Sequence, residues 1–193
     1  MGWDAVVFGS LTVPAAKVEP WLTTPVAPRD FRGWPDFFSD DFDPRPPEVL
    51  LEELKAAGLE PHELLDLSLQ GGKLTATAMM AKDPLLDTRM ALAVLWRSAA
   101  KHGGKGELFF FGYQTIEFGY RLKVGQGRST LKLMTKAEQR VVERSKAYKQ
   151  LDARVQASVD ALVGKVALPG AKAKKGSARW GINPFTGKKI RVS

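Results

Sequence analysis

GELFFFGYQTIEFGYRLKVGQGRSTLKLMT, Gly106 to Thr135, is the stretch from which the rest of the chain is read. It contains three runs of strand-forming residues: GELFFFGYQ, FGYRLKV and STLKLMT. Each is rich in aromatic or aliphatic side chains and bounded by glycine or polar residues, which predicts strands. GQGR joins the last two as a hairpin would. Three successive strands of this kind form a meander, and a meander is antiparallel.

Upstream, LLDLSLQGGKLTATAMM (64–80) reads as a second hairpin. Leu65, Leu67 and Leu69 alternate with polar residues, Gly71-Gly72 makes the turn, and the return strand alternates less cleanly. Asp4 to Val13 has the composition of a further strand, ended by Pro14. Between these lie helical patterns. PEVLLEELKAAG (47–58) sets Val49, Leu50, Leu51 and Leu54 on an apolar face, with Pro47 in its first turn and Gly58 positioned to end it. Asp83 and Pro84 open a helix through MALAVLWRSAAKHGG that is apolar on most sides, as expected of a central buried helix. Thr135 and Glu138 have the spacing of a capping box and open a long helix to about Val163. Its apolar positions are Val141, Tyr148, Leu151, Val155, Val159 and Leu162. Residues 14–47 are rich in proline and aromatics, and predict an irregular segment pinned to the body by its rings.

This order predicts an α+β fold: an antiparallel sheet of about five to six strands, with about three helices packed mainly on one face. Residues 1–163 form the globular domain. ALPGAKAKKGSA falls in a basic linker, residues 164–179, and residues 180–193 form a C-terminal turn and strand tail.

Charge sharpens that division. The net charge is +8. Eight of the 29 Lys and Arg fall in residues 164–193, where there is no acid, so the remaining 21 in residues 1–163 balance all 21 acids. The basicity belongs to the tail, and the neutral body is expected to exert no long-range field on an anionic polymer.

Several chemistries are not signalled. There is no cysteine, which removes thiolate catalysis and thiolate metal sites and fits a reducing, cytoplasmic setting. The first residues show no cationic segment before an apolar run, and no stretch approaches ~18 uninterrupted apolar residues, so neither a signal peptide nor a membrane span is expected. His62 and His102 are the two histidines, and His102 sits where a helix C-terminus favours it. HGGKGE runs from helix to strand, the reverse of a phosphate loop, and GQGRS joins two strands. No catalytic residue, metal site or cofactor is assigned.

The aromatic-acidic segment 31–43 interleaves acids with rings, as in WPDFFSDDFDP. Phe37, Phe38, Asp40, Asp41 and Phe42 make it a candidate contact for a basic protein partner, in the manner of an immunity or antitoxin module.

The tail supplies the other candidate. In WGINPFTGKKIRVS, Asn183-Pro184 initiates a turn and Gly187 permits a tight return, with Ile182, Ile190 and Val192 on the flanking strands. Asn183, Pro184, Thr186, Gly187 and Lys188 together resemble the N-P-x-T-G-[KE] tip of the β-arm in the HU and integration host factor family of DNA-bending proteins. The resemblance is confined to the tail. It implies that Pro184 wedges between base steps while Lys188, Lys189 and Arg191 grip the backbone. Independently, an acid-free segment with Lys172, Lys174, Lys175 and Arg179, and with Trp180 and Phe185 for stacking, suits contact with DNA or RNA. A second reading docks Trp180, Ile182 and Phe185 onto the body as a terminal strand or hairpin.

Overall fold

The computed structural model describes residues 5–26, 45–57, 64–80, 84–112, 119–154, 157, 179–182 and 189–192. Strand β1 (Ala5–Thr12) is followed by the hairpin β2 (Leu64–Gln70) and β3 (Lys73–Met80), then by the meander β4 (Lys105–Gly112), β5 (Gly119–Gly125) and β6 (Arg128–Leu133). All six pair antiparallel in one sheet of order β2-β3-β1-β4-β5-β6, so β1 inserts between hairpin and meander. The expected α+β architecture is present. Both predicted hairpin turns use positive-φ residues, Gly71 and Gly72 in one and Gln126 and Gly127 in the other.

Among the described residues five helices accompany the sheet rather than about three: α1 (Ala15–Thr23), α2 (Pro47–Ala56), α3 (Pro84–Ala99), α4 (Lys136–Glu143) and α5 (residues 146–154). Helices α1, α2 and α3 cover one face. There Val7 and Leu11 of β1, Leu74, Ala76 and Ala78 of β3, and Leu108 and Phe110 of β4 pack beneath Leu50, Leu54 and the fully buried run Leu92–Trp96. The central helix is therefore as buried as its composition predicts.

The opposite face carries a smaller core. Val6, Phe8, Met79 and Phe111 meet Met134 and Leu151, with Phe109, Val142 and Tyr148 at its margin. The Phe8 ring stacks on Phe109 at 5.3 Å, and the Tyr148 ring meets Phe8 and Phe111 edge-on at 6.0 and 5.8 Å. Runs such as Val6-Val7-Phe8 and Phe109-Phe110-Phe111 are apolar on both faces. Strands buried on both sides require that pattern.

Two elements differ from expectation. Residues 15–23 form α1 instead of irregular chain. The Pro14 carbonyl accepts the Lys17 N–H at 2.8 Å, and the Thr23 and Thr24 hydroxyls donate to the carbonyls of Glu19 and Pro20. Pro14 precedes the helix and costs no hydrogen bond, whereas Pro20 stands inside α1 and removes one donor, so the proline content was a poor guide here. Trp21, on this helix, is fully buried.

The long C-terminal helix is also interrupted. Its capping box forms, with Thr135 N–H donating to Glu138 and Glu138 N–H donating to the Thr135 hydroxyl. The helix ends after Glu143, and the Ser145 hydroxyl accepts the Tyr148 N–H at 3.2 Å, which caps α5.

Beyond the main sheet, β7 (Arg179–Ile182) and β8 (Lys189–Val192) form a separate two-stranded antiparallel ladder. No helix of the described residues is long and apolar enough to cross a membrane.

Candidate nucleic-acid interface

The ladder of β7 and β8 sets Arg179 opposite Val192, Trp180 opposite Arg191, Gly181 opposite Ile190 and Ile182 opposite Lys189. The strand-forming residues on either side of the turn signal pair with one another. Four of the candidate contact residues, Arg179, Trp180, Lys189 and Arg191, take ladder positions. Directly opposed residues share one face of a ribbon, so the positions of Trp180 and Arg191 lie side by side. Because the ladder stands apart from the six-stranded sheet, the tail does not extend that sheet as an added strand. Pro184, Phe185 and Lys188, and the linker residues Lys172, Lys174 and Lys175, lie outside the described residues.

Phe37, Phe38, Asp40, Asp41 and Phe42 also lie outside them, as does His62. What is described is the base of the acidic-aromatic segment. Val26 N–H donates to the Arg45 carbonyl at 3.4 Å, so the two ends of residues 27–44 are held together.

His102 follows α3 in a short 3-10 turn, Ala100–His102, closed by Gly103 in the left-handed region. Partial burial and the charges of Lys17 and Lys101 hold its imidazole below the ordinary range. That favours the neutral form at a helix end and does not by itself create a base for catalysis.

The structure also brings together residues that lie far apart in the sequence. On the face covered by α4 and α5, each central strand changes character halfway along. In β1, Val6 and Phe8 give way to Ser10 and Thr12; in β3, Met79 gives way to Thr77, Thr75 and Lys73; in β4, Phe111 and Phe109 give way to Glu107 and Lys105. Strand β5 adds Arg121 and Lys123, and β6 adds Arg128, Thr130 and Lys132. The apolar half lies under α4 and α5. On the polar half, Ser10, Thr12, Lys73, Thr75, Lys105, Lys123, Arg128 and Thr130 are exposed.

Two adjoining depressions cross this polar half and share Gly106 and Glu107. The larger, about 1110 Å³, runs between the sheet and α5, with Lys73, Thr75 and Thr77 on one side and Gln150 and Arg154 on the other. The smaller, about 600 Å³, is bordered by Lys105, Lys123, Gln126, Arg128 and Thr130. Among the described residues the strands present two acids on this face, and each is bonded to an arginine: Glu107 to Arg121, and Asp66 to Arg154. Lys73, Lys105, Lys123 and Arg128 form no ion pair among the described residues. The neutral body therefore has a cationic face, contrary to the inference from its net charge. The signal was present as strand alternation, with Arg121 and Lys123 two apart in β5, Arg128, Thr130 and Lys132 alternating in β6, and Lys105 at the start of β4.

No protein-family model matches the chain, and neither a curated protein nor a solved structure matches it significantly.

Proposed function

We propose that this protein is a non-enzymatic binding protein that associates with nucleic acid through its acid-free C-terminal segment. The observation that carries this reading is the β7–β8 ladder, which arranges the end of that segment as a ribbon with Trp180 opposite Arg191 and Lys189 on the same face. Aromatic positions beside cations suit base stacking combined with phosphate contact. The likeness of Asn183 to Lys188 to an HU-type arm tip points the same way. With no cysteine in the chain, the cytoplasm is the setting we assign it.

The test compares the full chain with a Lys188→Gln, Lys189→Gln, Arg191→Gln variant on random-sequence duplex across a salt series. If about five phosphates are neutralised, log affinity falls with log salt at a slope of about −4 to −5, and the variant flattens it by about 2 to 3. Absence of salt-dependent binding by the full chain overturns the reading.

A second reading is favoured by the Val26–Arg45 bond. Those joined ends bracket the aromatic-acidic segment 31–43, whose Phe37, Phe38 and Phe42 among acids suit a basic protein partner of an immunity-type module. Replacing Phe37 and Phe38 by Ala abolishes partner binding on this reading while leaving thermal stability unchanged. Retained binding removes the segment.

A further inference from the structure

We propose that the polar half of the second sheet face is a docking surface for the phosphodiester backbone of a nucleic acid. This site lies on the body, uses none of the tail residues and does not depend on the tail reading.

The first argument is charge complementarity. Lys73, Lys105, Lys123 and Arg128 are exposed and form no ion pair among the described residues, while Glu107 and Asp66 are each bonded to an arginine. A phosphate approaching this face meets cations whose counter-ions are solvent ions, and releasing those ions drives association. The second argument is spacing. The four cations come from β3, β4, β5 and β6, with Thr12 of β1 in register with both Lys73 and Lys105. Adjacent strands are separated by about 4.8 Å, so the row from β3 to β6 spans about 19 Å, enough for several consecutive phosphates. Between the cations stand the hydroxyls of Ser10, Thr12, Thr75 and Thr130, which serve as additional donors to phosphate oxygens.

The lining also argues against a protein partner. Protein interfaces centre on large apolar or aromatic anchors. The exposed large hydrophobic residues among those described, Leu133 and Val141, border neither depression; of the large apolar residues that line the larger one, Phe8 and Leu151 are buried and Phe109 is half-buried. With those rings withdrawn and the exposed positions held by lysines, arginine and hydroxyls, the surface fits a polyanion read by its backbone.

The test uses the full chain and a Lys73→Gln, Lys105→Gln, Lys123→Gln, Arg128→Gln variant. Binding is measured over a salt series to random-sequence duplex and to a single strand of equal length. The salt slope should flatten by about 3.6 on duplex or about 2.8 on single strand, and the arm with the larger loss of affinity identifies the form bound. If the slope is unchanged on both while the tail variant flattens it, the face is excluded and the tail reading stands. If the face variant flattens it and the tail variant does not, the face stands and the tail reading falls. Displacement of the oligonucleotide by poly-glutamate at equal charge concentration overturns the phosphate assignment in favour of an acidic protein. A readout on the unsubstituted chain guards against misfolding: saturating oligonucleotide should protect Lys73, Lys105 and Lys123 from amine acetylation. Unaltered acetylation of all three overturns the proposal.

Discussion

Glu107 of β4 accepts a hydrogen bond from Arg121 of β5, and the same guanidinium lies 6.0 Å from the centre of the Phe109 ring. This contact neutralises the acid shared by both depressions of the polar sheet face. It also marks the boundary between the apolar half, which begins at Phe109, and the cationic half, which begins at Lys123 opposite Glu107.

Glu107→Gln removes a negative charge beside the proposed phosphate track. Nucleic-acid binding at low salt should strengthen about two- to fivefold, and the gain should fade as salt screens the site. Fluorescence anisotropy at two salt concentrations checks this. Equal or weaker binding by the variant shows that phosphates do not pass Glu107.

The buried Trp21 indole N–H donates to the Ser98 hydroxyl at 2.9 Å, and that hydroxyl donates to the Leu95 carbonyl at 3.1 Å. Ser98→Ala leaves the indole donor without a partner in the core between α1 and α3. The expected loss is about 1–3 kcal/mol. Urea unfolding should show a lower midpoint at unchanged m-value, because the surface exposed on unfolding is the same.

Tyr148 packs edge-on against Phe8 and Phe111, and burial, with Asp152 and Glu143 nearby, pushes its phenol up to about 12. The unfolded chain deprotonates near the ordinary value of about 10, so above it the unfolded state binds fewer protons than the folded state. Stability is therefore complete below about pH 10 and falls as pH rises toward 12. Denaturation midpoints measured from pH 9 to 11.5 should decline, and Tyr148→Phe should remove this tyrosine's share of the decline. A variant with the same decline as the unsubstituted chain excludes Tyr148 as its source.

Hydrogen bonds from the Thr135 backbone and side chain hold the Glu138 carboxyl below the usual carboxylate range. A depressed carboxylate stabilises the fold above its unfolded value and loses that contribution as pH falls through the folded value. The effect is confined to acid, below about pH 4.3. Thr135→Ala removes the cap, should lower the melting temperature by about 2–4 °C at neutral pH, and should flatten the acid limb contributed by Glu138. Calorimetry at pH 7 and at acid pH separates the two effects.

Most of the architecture could be read from short-range pattern. The meander, the Gly71-Gly72 hairpin, the buried helix around Trp96 and the Thr135 capping box are local signals, and each appears where its residues predict. Helix α1 was hidden because its prolines look like breakers: Pro14 stands at the helix start, but Pro20 lies inside it, and the burial of Trp21 in the core offsets that cost. The split between α4 and α5 rests on Ser145, whose capping role depends on a bend that periodicity alone does not show. The Phe109-Phe110-Phe111 run was a legible sign of a sheet buried on both faces, since continuous apolar strands need two covers.

By itself the sequence determined the α+β class, the strand alternation and the acid-free basic tail, because these follow from periodicity, turn residues and composition. Tertiary structure decided where the body's charge resides. Lys73, Lys105, Lys123 and Arg128 are separated by up to 55 positions along the chain, and only the order β3-β1-β4-β5-β6 sets them on one face. Net charge sums over the whole surface, whereas a field at a binding site depends on which charges share a face and which acids are already paired.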